Sequence, residues 1–247
     1  MEIRLDGIVV IVGNYGSGKT EVAVNLAVVR RNAGVEVRIA DLDLVNPYFR
    51  TREARNQLEA RGVDVVLPED QYLNADLPIL SPRIAGLIRS PAPLTIIDVG
   101  GDDVGATVLA SLADAFDRQD FQTLQVVNPY RPFTETIEGC LKIQAEIEAS
   151  SRQAVTGWIA NPHLLDETVA DDVYRGADFV KHLAERTGLP LVFVTAPVEL
   201  VDRLDAERIG RPLLPIRRQL VPPWKQAVQL PGIISKVAAA AKTAKGV

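Results

Sequence analysis

The chain has 247 residues, 47% of them hydrophobic and 24% charged, which is enough apolar material for one large α/β domain. Its 27 basic and 32 acidic residues leave a net charge of −5, so no nucleic-acid partner is expected. The single cysteine, Cys140, excludes an intrachain disulfide and a four-cysteine metal centre, and is expected to be buried and inert.

The N-terminal MEIRLDG runs straight into IVVIVG, an apolar run too short and too acidic in front for a signal peptide. No stretch of about 18 apolar residues occurs, so no membrane attachment is expected and the expected location is the cytoplasm. In chain order, β-branched runs predict strands at 8–12, 35–40, 63–67, 94–98, 123–128, 154–160 and 189–195. Helical patterns lie between them at 18–33, 50–61, 104–117, 134–149 and 168–187. Gly34, Gly62 and Gly188 follow three of these helices, where a left-handed C-terminal cap is wanted. The Pro-rich stretch 68–93 reads as a loop with one short helix. The prediction is a doubly wound, mostly parallel, seven-stranded α/β sheet flanked by helices. Residues 1–204 form the nucleotide-binding domain of this reading, and 205–247 a Pro-rich tail with a C-terminal helix near 232–243, packed on the same domain.

The first predicted strand ends in GNYGSGKTE, residues 13–21. Gly13-x-x-x-x-Gly18-Lys19-Thr20 matches the phosphate-loop pattern, and it lies between a strand and a helix as that pattern requires. Its backbone N–H groups and the helix N-terminus suit phosphate oxygens. The nucleotide-binding stretch is therefore Gly13, Asn14, Tyr15, Gly16, Ser17, Gly18, Lys19, Thr20 and Glu21, with Lys19 on the β- and γ-phosphates and Thr20 on Mg²⁺. Asp41 and Asp43 end the second strand and Asp98 the fourth, where carboxylates serve a hydrated Mg²⁺. Gly100 and Gly101 would let a backbone N–H approach the γ-phosphate, and Asp102 or Asp103 suits a helix N-cap.

The set GNYGSGKTE, DLDLVNPYF, IIDVGG, GWIANP and VTAPVEL resembles the P-loop ATPases that include the MinD/ParA cell-division and partition ATPases, the nitrogenase iron protein, and the CobQ/CobB and dethiobiotin-synthetase amide-forming enzymes. The resemblance covers residues 6–205. It implies ATP and Mg²⁺ as ligands. It also implies that Asp43 orients the attacking water, Asp41 supports the metal side, Asn161 reads the purine, and Pro197 and Val198 close over the base. A guanine reader of the N-K-x-D type needs a carboxylate where Asn161-Pro162-His163-Leu164 has Leu164, so adenine is the expected base.

In the partition branch the loop begins with a lysine that reaches across a dimer. Aligned on Gly18-Lys19-Thr20, Asn14 stands at that lysine and Tyr15 at the glycine after it. A cation there is worth about 10³ to 10⁵ in rate by analogy with arginine fingers. Slow basal hydrolysis is expected unless another cation enters, and Arg50 and Arg52 are the nearest in sequence.

The leading reading is a Mg²⁺-dependent ATPase that couples nucleotide state to a partner protein, with 41–52 and 98–105 ordered by the γ-phosphate. The alternative is an ATP-dependent amide-forming ligase or small-molecule kinase, with Arg83 and Arg131 as candidate cations for the acceptor. A regulator without turnover is a third reading, and a homodimer stays open. The tetrapeptide VNPY occurs at 45–48 and 127–130, each time at the end of a predicted strand. This places Tyr48, Phe49, Tyr130 and Phe133, with Arg50 and Arg131, on the rim that carries the phosphate loop. That rim is the expected surface for a protein partner or a small-molecule acceptor, against the plainer reading that the rings plug the end of the sheet.

Overall fold

The computed structural model describes residues 1–42, 54–67, 82–101, 103–117 and 119–219, and of Pro82 and residues 103–106 the backbone only. Asp43, the first VNPY copy, Arg50, Arg52, Asp102 and the segment 220–247 lie outside the described residues.

Strands and helices alternate along the described chain. They run β1 (Gly7–Val12), α1 (Lys19–Asn32), β2 (Val37–Leu42), α2 (Arg55–Glu59), β3 (Asp64–Val66), α3 (Pro82–Arg89), β4 (Leu94–Val99), α4 (Asp103–Ser111) and α5 (Ala113–Phe116). The second half continues β5 (Phe121–Val127), α6 (Ile137–Ser151), β6 (Gly157–Ala160), a 3-10 turn at Leu165–Glu167, α7 (Ala170–Thr187), β7 (Leu191–Pro197), α8 (Val198–Val201), α9 (Ala206–Ile209) and β8 (Leu213–Ile216).

The strands form one parallel sheet in the order β3-β2-β4-β1-β5-β6-β7-β8. Its two faces follow from strand alternation. Val9 and Ile11 of β1 pack with Ile39, Ile96 and the α1 residues Val22, Leu26 and Ala27. Ile8, Val10 and Val12 pack with Ile97, Val99 and the helix residues Ile84, Ile88, Leu109 and Phe116. Both faces are covered, which is why the strand sequences are continuous apolar runs. A third cluster holds Trp158, Phe179 and Val180 beside Cys140 on the β5–β8 half.

Among the described residues the sheet has eight strands where seven are predicted. The added strand, β8, comes from the Pro-rich region expected as a tail, and pairs from Val194↔Leu213 to Pro197↔Ile216. Pro215 lacks an N–H, a lack that β8 tolerates because among the described residues it is the edge strand, with no ladder on one side. The single helix expected at 104–117 is broken into α4 and α5. Near the break Ser111 turns its hydroxyl back onto the Val108 carbonyl at 2.6 Å. The helix expected from 134 begins at Ile137, because residues 128–134 satisfy one another locally and Thr136 caps α6 by accepting from Gly139 N–H at 3.0 Å. Among the described residues no helix is long and apolar enough to cross a membrane.

Candidate nucleotide site

β1 ends at Val12, the loop turns through Gly13–Gly18, and α1 opens at Lys19. Gly13, Gly16 and Gly18 have φ of +147°, +74° and +87°, conformations that curl the loop back over the helix N-terminus. At Gly18 space is decisive as well: a Cβ would collide with the Asn161 side-chain amide and lie 3.2 Å from His163 Nε2. Ser17 N–H closes the turn on the Asn14 carbonyl at 3.2 Å, and Lys19 Nζ donates to the same carbonyl at 3.1 Å. Lys19, Thr20 and Ser17 are buried.

Asp41 and Asp98 are both completely buried and stand directly opposite each other in the β2–β4 register. They alternate with Ala40, Leu42, Ile97 and Val99, which pack on the other face, so both carboxylates belong to the face that α1 covers. Thr20 lies in the first turn of that helix. The set suits a Mg²⁺ ion that takes few protein ligands and the rest from water and phosphate. Among the described residues no cluster of three or more His, Cys, Asp or Glu forms a self-contained metal cage. Gly101, beyond β4, lies against the loop: a Cβ there would be 2.6 Å from Lys19 Nζ and 2.9 Å from Tyr15 N.

Both polar ends of the Asn14 side chain are engaged within the chain. Its oxygen accepts from Tyr15 N–H at 2.8 Å and its Nδ2 donates to the Pro132 carbonyl at 3.2 Å. The phosphate loop is thereby tied to the β5–α6 connection, while the Tyr15 ring is 69% exposed. That connection is stiff. Asn128 accepts through its side chain from Tyr130 N–H at 3.1 Å and through its carbonyl from Thr134 Oγ1 at 2.7 Å. Its Nδ2 donates to the His163 carbonyl at 3.0 Å.

Tyr130, placed by sequence on an open aromatic rim, is half-buried, and its hydroxyl donates to the Asp172 carbonyl at 2.8 Å. Burial pushes its phenol pKa up, with the Asp172 charge adding to the effect. At Tyr130 the hydroxyl is thus tied to α7 while the residue stays partly exposed. Phe133, by contrast, is 71% exposed. Tyr48 and Phe49 lie outside the described residues.

Asn161 lies beyond the end of β6, is buried, and is bonded at both ends of its side chain. Nδ2 donates to the Ser17 carbonyl at 2.6 Å, and Oδ1 accepts from Thr195 Oγ1 at 2.5 Å. The side chain expected to read the base thus spans from the phosphate loop to β7. His163 sits beside Gly18, and burial, with Arg131 and Arg218 next in effect, lowers its pKa to about 4. Pro197 and Val198 form the junction of β7 and α8, three strands along from β1. Glu21 is turned away from the loop: its carboxylate accepts from Gln219 N–H at 2.8 Å and from Asn25 Nδ2 at 3.3 Å. Cys140 is buried, and burial raises its thiol pKa to about 12, as expected of an inert cysteine.

Sequence reasoning missed Thr195 and His163 at this site, and treated Arg131 as an acceptor cation and as part of the partner rim. The signal for Arg131 was its place directly after a strand end on the loop-bearing rim. Thr195 had no signal, since a threonine inside an apolar strand is common.

No protein-family model matches the chain, and no curated protein matches it. Solved structures do. The signal recognition particle 54 kDa protein of Aeropyrum pernix, in complex with GDP, superposes with a TM-score of 0.51 at 20% identity, over 78% of this chain and 42% of that one. The cell division protein FtsY of Thermotoga maritima gives 0.52 at 21% identity, over 79% and 65%. Chloroplast FtsY of Physcomitrella patens gives 0.51 at 22% identity, over 78% and 60%. The chain thus spans 42 to 65% of the length of these neighbours. At such identities the likeness carries the fold, and the fold is that of a P-loop NTPase. It corrects the expected placement with the MinD/ParA, nitrogenase-iron-protein and CobQ/CobB enzymes: the fold neighbours are a signal recognition particle protein and FtsY.

Proposed function

We propose that the chain is a Mg²⁺-dependent nucleoside-triphosphate hydrolase whose nucleotide state is coupled to a protein partner. The observation that carries this reading is the buried Asp41–Asp98 pair, in register at the strand ends, beside a glycine loop that leads into Lys19 and Thr20. The roles follow from chemistry. Backbone N–H groups of 13–20 hold phosphate oxygens, and Lys19 neutralises them. Thr20, Asp41 and Asp98 hold hydrated Mg²⁺, which supplies charge neutralisation when bound. Asp43 is assigned to orienting the water.

Guanine is the favoured base. A neighbour of the same fold carries GDP, and Asn161, on which the adenine expectation partly rested, is occupied at both ends. Adenine remains the second reading because Leu164 offers no acceptor for the guanine ring hydrogens. The partner reading draws on the neighbour's being a component of a particle by name. The expectation of no nucleic-acid partner, which rested on net charge alone, is not carried forward.

The test is a titration of the purified chain with GTP, GDP, ATP and ADP in Mg²⁺, together with phosphate release in the absence of any added small molecule. Tighter GTP and GDP binding with slow phosphate release is expected. ATP preference supports the second base reading. Phosphate transfer only when an acceptor is added supports the ligase or kinase alternative, and no nucleotide binding sinks the proposal.

A further inference from the structure

The bond from Asn14 to the Pro132 carbonyl draws the residue before that proline onto the phosphate loop. Arg131 Nε lies 4.0 Å from where a Cβ on Gly16 would stand, in the middle of the loop. That nitrogen is buried and, among the described residues, has no hydrogen-bond partner. The backbone behind it is held from both ends: Arg131 N–H donates to the Asn128 carbonyl at 3.2 Å, and Thr134 N–H donates to the Arg131 carbonyl at 3.1 Å. His163 stands over the same loop, and of the nearby carboxylates Asp166 is paired with Arg218 and Asp172 with Arg175, both at 2.7 Å. A guanidinium whose buried Nε has no partner among the described residues, beside a loop of backbone donors, suits an anion.

We propose that Arg131 is a second phosphate-binding cation of this site, beside Lys19 and acting within one chain: it contacts the terminal phosphates of the bound triphosphate and adds positive charge there. The inference rests on the proposed hydrolase reading. In that reaction a bond forms from water oxygen to the γ-phosphorus and the bond from that phosphorus to the β–γ bridging oxygen breaks. Nucleoside diphosphate and orthophosphate result, with the water proton passing to solvent. Arg131 stays protonated throughout and contributes hydrogen bonds and charge, which matter most where negative charge develops. The residue differs from those expected by sequence: Arg50 and Arg52 follow β2 along the chain and lie outside the described residues, whereas Arg131 follows β5.

The full chain and its Arg131→Ala, Arg131→Gln and Arg131→Lys variants are titrated with a non-hydrolysable triphosphate and with the diphosphate, and phosphate release is followed in a single turnover. Arg131→Ala and Arg131→Gln are expected to weaken triphosphate binding about ten- to a hundredfold, with diphosphate binding changed no more than about threefold. Single-turnover release is expected to fall about a thousandfold, and Arg131→Lys to recover part of both. An unchanged preference for triphosphate, or equal losses for both nucleotides together with a lowered melting temperature, overturns the inference and leaves the hydrolase reading standing. If the wild-type chain binds neither nucleotide and Lys19→Ala changes nothing, the hydrolase reading fails, and this inference with it.

Discussion

Asn161 Nδ2 donates to the Ser17 carbonyl at 2.6 Å, joining the end of β6 to the heart of the phosphate loop across 144 residues of sequence. Thr195 holds the other end of the same amide. The loop's curvature is therefore braced from outside as well as by its glycines. Asn161→Ala removes both bonds and leaves a buried carbonyl and hydroxyl unpaired, at a cost of about 2 to 4 kcal/mol. Urea denaturation measures this directly. A loss below about 0.5 kcal/mol, within the range of ordinary surface changes, would show that the brace carries no weight.

Gly101→Ala is expected to impair nucleotide binding more than folding. Its Cβ would be 2.6 Å from Lys19 Nζ and 2.9 Å from Tyr15 N, so the lysine or the loop backbone must move. Overpacking of this kind costs about 1 to 3 kcal/mol. Gly34→Ala is the control. It too has a positive φ, of +86°, but meets nothing within 4 Å, so it should cost about 1 to 2 kcal/mol of stability and leave nucleotide affinity as it was. Similar affinity losses in both variants would contradict the placement of Gly101 against Lys19.

Lys19→Ala, Asp98→Asn and Asp43→Asn should separate three roles. The first should weaken Mg²⁺-nucleotide binding about ten- to a hundredfold through loss of a buried charge-assisted contact. Asp98→Asn should raise the Mg²⁺ concentration required for binding. Asp43→Asn should bind nucleotide normally and release phosphate far more slowly. Wild-type turnover by Asp43→Asn would remove the water-orienting role from that residue.

Stability is expected to fall with acid through His163. Its pKa is lowered from 6.5 to about 4 by burial and by the charges of Arg131 and Arg218. The native state therefore favours the neutral imidazole, and between those two values the unfolded chain binds more protons. The resulting stabilisation is complete above about pH 6.5 and is lost as pH falls through about 4. It amounts to about 3 kcal/mol at most. Unfolding curves for wild type and His163→Gln at pH 7, 5.5 and 4.5 test the sign. The wild type should lose stability relative to the variant on acidification, and a constant difference across the series would refute it.

Phe133 marks a limit to how far the rim could be read from sequence. The repeated VNPY suggested two equivalent aromatic ledges. In the copy that is described, Tyr130 turns inward to Asp172 and Phe133, at φ +71°, turns out. Which ring of a loop is core depends on what packs above it, here α7, and a local pattern carries no record of that.

What the sequence alone determined is what local physics encodes. Continuous β-branched runs are legible as buried parallel strands, because both faces of such strands are apolar. The glycine spacing before Lys19 is legible as a phosphate loop, because only glycines allow that backbone. Asp98 is legible as a carboxylate near a strand end. The tertiary structure alone decided three other things. It made 213–216 an edge strand despite Pro215, since an edge does not require every N–H. It tied Asn161 to the Ser17 carbonyl and to Thr195, since these partners come from the phosphate loop and from β7. It also brought Arg131 to the loop beside Asn14. Asn14 and Pro132, 118 positions apart, are joined by a side-chain bond, and such a bond exists only after the sheet has set β5 next to β1.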